Sequence, residues 1–252
     1  MREELAVFLL AVQFLTRVPV SSADLFTEAR FAAATRYYPL VGALVGAVAG
    51  AVFWFAHLVF PITLSVVLAT AAVLLVTGAF HEDGFADACD GLGGGAARER
   101  ALEIMRDSRL GTYAAAGLGL MLAAKILALA AAPAVVIPWL LVAAHAASRA
   151  SAVLAIATGR YVRETGAAKP VADGVAPSGL ALALATGAAA VAALWHLASP
   201  AAMLAGLTGL AIGHVVMRGL YERKLGGYTG DCLGAVQQTS ELGLYLGVVA
   251  VL

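Results

Sequence analysis

Leu40–Phe80 reads LVGALVGAVAGAVFWFAHLVFPITLSVVLATAAVLLVTGAF, two apolar runs parted by Pro61 and holding no Asp, Glu, Lys or Arg. Each run is close to the ~20 residues that carry a helix across the hydrocarbon layer of a bilayer. With one residue between them the chain can only turn back on itself, so the stretch predicts a transmembrane helical hairpin. The pattern recurs twice. Leu110 to Ala132 and Pro138 to Thr158 form a second pair joined by Pro133–Ile137, and Leu180 to Ala198 and Ala201 to Met217 a third joined by Ser199 and Pro200. No joint carries a charge, whereas the connections between pairs are long and charged. The tight turns therefore belong on one side of a membrane and every large loop on the other.

Composition agrees. Hydrophobic residues make up 62% of the 252 and charged residues 13%, which excludes an ordinary soluble domain. The expected fold is an all-α integral membrane protein, one polytopic domain over residues 1–252, with about six transmembrane helices in three hairpins. Fourteen of the sixteen Lys and Arg lie in the N-terminal segment, the long connections or their helix borders. By the positive-inside rule the large loops face the cytoplasm. Leu5 to Leu15 is half a span and predicts a short interfacial or docked helix. Glu3 and Glu4 beside Arg2, and the lack of a small-residue cleavage site, set it apart from a signal peptide. Leu242 to Leu252 predicts a short C-terminal apolar helix that dips back or packs on the bundle. Gly and Ala crowd the spans, which permits close helix contact. A net charge of zero offers no footprint for nucleic acid. Cys89 and Cys232 have no metal-ligand spacing and are expected as two reduced thiols.

Against this background Thr77–Thr112, TGAFHEDGFADACDGLGGGAARERALEIMRDSRLGT, holds seven of the sixteen acids. On a helix Asp83, Asp87 and Asp90 stand at i, i+4 and i+7, on one face. Carboxylates at that spacing repel, and a hard divalent cation such as Mg2+, shared with a phosphorylated substrate, would answer the repulsion. The run Gly91–Gly95 then ends the helix. Arg106 and Arg109, three apart, would share a helical face and clamp a pyrophosphate, unless they only satisfy the positive-inside rule. Lys125 and Arg149 lie inside spans, where a charge either snorkels to the interface or has a function; Arg149 would reach a loop-side cavity. In LGGYTGDCLGAVQQTSE, Gly226, Gly227 and Gly230 allow close backbone approach, and a helix starting near Thr229 would aim N–H groups at an anion. Asp231 there is either a further metal ligand or a helix cap, and shares a face with Gln238 and Glu241.

FLTRVPV, YYPLVG, FHEDGFADACDG, EIMRDSRLGTY, AKI at Lys125, ASR at Arg149 and GGYTGDCLGA together resemble the cobalamin synthase family, also called adenosylcobinamide-GDP ribazoletransferases, over the whole chain. The resemblance implies a membrane transferase of the cytoplasmic (inner) membrane. It would join adenosylcobinamide-GDP to α-ribazole or its 5'-phosphate, release GMP and use Mg2+. It implies His81, Asp83, Asp87 and Asp90 as catalytic, with Asp83, Asp87, Asp90 and Asp231 holding the metal. Arg106, Ser108, Arg109, Lys125, Arg149, Gly227, Thr229 and Gly230 would bind substrate. The position of Glu82 is variable in the family motif and receives no catalytic role. Expected partners are the two substrates, the lipid bilayer and a possible second copy of the chain. Two other readings compete. A CDP-alcohol phosphotransferase shares DxxDG at Asp87–Gly91, but the following AR and paired later aspartates are missing. A transporter would explain Lys125 and Arg149, but its acids would not cluster in loops.

Overall fold

The computed structural model describes residues 2–20, 24–107, 109–164, 166, 169–171 and 175–252. Helices dominate throughout: α1 Arg2–Leu15, α2 Glu28–Ala34, α3 Tyr38–His57, α4 Ile62–Thr77, α5 Phe80–Gly93, α6 Arg98–Ile104, α7 Thr112–Ala131, α8 Ile137–Thr158, α9 Pro177–Ala192, α10 Pro200–Leu225 and α11 Gly230–Val249. The stretches ending in α3, α7, α8, α9 and α10 are long and apolar enough to cross a membrane, and α4 with α5, bent by 91°, makes a sixth at most. We read α4 as the spanning part and α5 as lying outside it, across the loop end of the bundle.

The short turns fall where the sequence places them, but the hairpins do not all close on themselves. Of the three predicted hairpins, only α3 with α4 packs as an extended pair. α3 instead lies chiefly along α8, α9 also packs on α8, and α10 packs on α11. The reason is glycine. A Cβ on Gly42 would collide with the backbone of His145 and one on Gly46 with that of Leu141, so α3 and α8 run antiparallel with their backbones in contact. Gly209, Gly213, Gly243 and Gly247 do the same for α10 and α11. Close approach of this kind multiplies van der Waals contacts, the main attraction left between helices when the solvent is itself apolar. α8 becomes the central helix, with 83% of its apolar window buried against 22–28% for α7, α9 and α10.

Both ends of the chain pack on the bundle. α1 is docked at the loop end: Glu3 pairs with Arg30 and Glu4 with Arg36, each at 2.7 Å, while the Arg17 N–H past its C-terminus donates to the Val76 carbonyl. The C-terminal apolar run is not a separate short helix. It is the second half of α11, because Thr229 starts the helix by accepting from the Cys232 N–H and nothing between there and Val249 breaks it.

Candidate active site at the loop end of the bundle

The direction of α5 is set by two consecutive left-handed residues, Gly78 at φ 68° and Ala79 at φ 56°. For alanine this conformation is unfavourable by about 1–2 kcal/mol, so the surrounding contacts hold it; Arg17 packs over Gly78, where a Cβ would press on its guanidinium. Beyond the turn, α5 crosses the first turn of α11. Gly84 sits against the Asp231 backbone and Gly234 against His81, with ideal Cβ positions only 3.1 and 3.0 Å from their nearest atoms. Two glycines thus bring the acid-bearing face of α5 onto Asp231.

The resulting cavity, of about 140 Å³, is lined by His81, Asp83, Arg149, Tyr161, Arg163 and Asp231, with Gly230 and Gly234 in its floor. Asp83 is exposed, and Asp87 one turn on is half-buried. Burial, then the charges of Asp231 and Asp83, raise the Asp87 carboxyl to about 7, with Arg163 opposing. Burial also raises Asp231, against the pull of Arg163, whose Nη2 lies 2.8 Å from Oδ2. His81 is buried with Nδ1 unpartnered, and burial holds its pKa well below the usual value, so the ring is neutral. Arg149 is 1% exposed, donates from Nη1 to the His145 carbonyl at 3.0 Å and has Nε unpartnered.

Other expected residues lie elsewhere. Asp90 is on the predicted face of α5, but its carboxylate caps α7, accepting from the N–H groups of Gly111 at 2.7 Å and Ala114 at 2.9 Å. That cap starts a new helix at Thr112 and obliges the chain to turn after α6, which ends at Ile104. Arg106 and Arg109 therefore do not share a helical face. Both are exposed outside the cavity, and Arg109 is bound to Asp107 with Nη2–Oδ2 at 2.5 Å. Ser108 lies outside the described residues. Gly227, at φ 157°, faces the chain rather than the cavity: a Cβ would strike the Arg160 carbonyl. Thr229 is buried as the N-cap of α11.

Lys125 does not snorkel. Deep in the bundle its Nζ lies 2.8 Å from Glu241 Oε1 and donates to Gln238 Oε1 at 2.7 Å. Gln238 in turn donates to Glu82 Oε1 at 3.0 Å, and Gln237 to Glu241 and Ser148 at 2.6 and 2.8 Å. Sequence reasoning missed this network, although the polar run Gln237–Glu241 in the middle of α11 was a visible sign. Arg163 was missed as well, and an arginine in a long loop carries no sign of its partner.

As metal ligands the acids divide. Among the described residues no three His, Cys, Asp or Glu side chains are gathered tightly enough to hold an ion. The chemistry of Asp83, Asp87 and Asp231 nevertheless fits a hard divalent cation: all are oxygen donors, and their mutual repulsion is answered only in part by Arg163. Asp90, with both oxygens on the start of α7, does not fit as it stands.

A helical membrane bundle with carboxylates, a neutral histidine and arginines around one loop-end cavity defines a membrane-embedded enzyme. The chain matches the family model of cobalamin-5-phosphate synthase over residues 7–249 and belongs to that family. It is 47% identical to the adenosylcobinamide-GDP ribazoletransferase of Leptothrix cholodnii, over 98% of this chain and 96% of the relative. Proteins of the same name from Shewanella frigidimarina and Vibrio parahaemolyticus are 41% and 42% identical, over 98% and 99% of this chain and 95% and 94% of theirs. No solved structure matches.

Proposed function

We propose that this chain joins adenosylcobinamide-GDP to α-ribazole or α-ribazole 5'-phosphate with release of GMP, as a Mg2+-dependent enzyme of the cytoplasmic (inner) membrane whose large loops face the cytoplasm. The observation that carries this reading is the convergence of Asp83, Asp231, His81, Arg149 and Arg163 on one cavity, in a chain of this family. Charge placement supports the orientation, since the far-end turns hold no Lys or Arg.

The reaction breaks the P–O bond to GMP and forms one from the acceptor hydroxyl to the phosphorus left on cobinamide. Asp83, Asp87 and Asp231 would hold Mg2+, which when bound offsets charge on the pyrophosphate and the leaving group. Arg149, fixed by the bundle, aims a guanidinium at the phosphates from the inner wall. His81, kept neutral by burial, is placed to take the hydroxyl proton. GMP departs with the electron pair of the broken bond. A cavity of about 140 Å³ is of the size that admits one small ring, so the reacting phosphorus enters it and the corrin lies along the cytoplasmic mouth. Lys125 is paired inside the bundle, which leaves the transporter reading with less support.

The test is GMP release by purified protein in detergent or liposomes, given adenosylcobinamide-GDP and the acceptor, with and without Mg2+. Release that needs both the acceptor and Mg2+ is expected. Folded protein that releases none under any lipid condition would overturn the proposal.

A further inference from the structure

Behind the Tyr161–Arg163 wall of the carboxylate cavity lies a second cavity, of about 360 Å³, in which cations outnumber acids. Arg98, Arg160, Arg163 and Lys169 line it, against one acid, Glu164. Two of the four cations are unspent. Arg160 and Lys169 have no carboxylate partner among the described residues, and Arg98 meets only exposed Glu99, at 3.5 Å. Arg163 is paired with Asp231 at 2.8 Å, with a side chain 10% exposed and an unpartnered Nε.

The cavity is built, not an accident of loose side chains. The Val162 N–H donates to the Tyr228 carbonyl at 3.0 Å and the Tyr228 N–H to Arg160 at 2.8 Å, so two loops are stitched together by a short parallel bridge. The Tyr161 and Tyr228 rings meet edge-on at 5.5 Å, and Lys169 Nζ lies 5.9 Å from the centre of the Tyr161 ring. Arg98 Nε is tied to the Leu225 carbonyl at 2.7 Å. The loop carrying Arg160 and Arg163 is thereby fixed to the one that positions Asp231.

We propose that this second cavity is a phosphomonoester site, and that it takes the 5'-phosphate of the acceptor. The inference rests on the transferase reading above and deepens it. A phosphorylated riboside carries an attacking hydroxyl and a phosphomonoester on the same sugar, a few bonds apart. Two cavities that share the Tyr161–Arg163 wall, one holding the carboxylates and the other rich in cations, match that arrangement: the hydroxyl enters on the carboxylate side and the phosphate stays on the cationic side. Arginine forks suit phosphate oxygens. The pyrophosphate of the donor, being the reacting group, belongs with Arg149 in the first cavity. Anionic lipid headgroups offer the same phosphate chemistry, so the test separates the two sources.

The experiment compares kcat/KM for α-ribazole 5'-phosphate and for α-ribazole, in the unsubstituted protein and in Arg160→Ala/Lys169→Ala, both in neutral detergent and in liposomes with and without anionic phospholipid. The expected result is a loss of about tenfold or more for the phosphorylated acceptor, carried in KM, with α-ribazole affected less than about twofold, in every lipid condition. Arg160→Lys, which keeps the charge, should recover part of the loss. An equal loss for both acceptors, a loss that appears only with anionic lipid, or unsubstituted protein that does not distinguish the acceptors would each overturn the phosphate site while leaving the transferase intact. Unsubstituted protein that turns over neither acceptor would overturn both.

Discussion

Two groups of charges sit in this bundle about three helical turns apart along α11, around Asp231 and around Glu241. Around Glu241, Lys125 is the bonded counter-charge, Gln238 ties in Glu82, and Gln237 and Tyr245 donate to the Glu241 carboxylate, while Arg149 stands on the wall between the two groups. Around Asp231, three carboxylates from two helices face one another with Arg163 as the close counter-charge. Low dielectric penalises an unpaired charge in both places. The inner group is closed, its ion pair buried and bonded inside the bundle, as a structural network must be, whereas the outer one is open and its carboxylates are only partly paired, as the proposed Mg2+ and phosphate site requires. Buried charge in a membrane protein is thus to be judged by its pairing, not by its presence.

The largest effect should come from Asp83→Asn. Removing an acid from the open group should lower GMP release by about 10⁴-fold or more while the unfolding midpoint in detergent stays the same or rises. A fully active variant would take Asp83 out of the site. In the closed group the order reverses. Glu241→Ala leaves Lys125 buried without a counter-charge and should destabilise the fold by about 3–5 kcal/mol, read by unfolding in detergent. Lys125→Met combined with Glu241→Leu should recover much of that loss, and a double variant no better than Glu241→Ala would mean the two are not coupled. Asp90→Ala should fall between the groups. Loss of the cap on α7 weakens the fold by about 1–2 kcal/mol, and activity should fall without any change in the Mg2+ concentration required; a shifted Mg2+ requirement would return Asp90 to the metal set.

The smallest effect concerns pH. Asp87 titrates at about 7 in the folded protein and near 3.9 when unfolded. Between those values the folded state keeps a proton that the unfolded chain has lost, so without divalent cation stability should fall as pH rises from about 4 to about 7. Mg2+ favours the ionised carboxylate and should flatten the decline, and Asp87→Asn should remove it. Thermal unfolding across this range, in EDTA and in Mg2+, checks both; a decline unchanged in the variant would place its source on another group.

The contrast between the groups also separates what could be read from the chain from what could not. Asp83 and Asp87 were visible because helical spacing is a local property. Asp90 shared that spacing, yet its oxygens went to N–H groups more than twenty residues away. The pairing of Lys125 with Glu241 and of Arg163 with Asp231 had no local trace, since each joins separate elements.

By itself the sequence determined the apolar spans and their sharp turns, the side on which charge collects, the helix that carries the aspartates and the cap at Thr229. All of these follow from the length of a span, the helical period and the hydrogen-bonding needs of helix ends, which act within a few residues. Tertiary structure alone decided that α3 lies along α8 and α10 along α11, that Asp90 serves α7, and that a cationic cavity stands behind the carboxylate one. Those outcomes depend on which backbones can touch, and glycines on one helix act only when a matching surface from a distant part of the chain is brought against them.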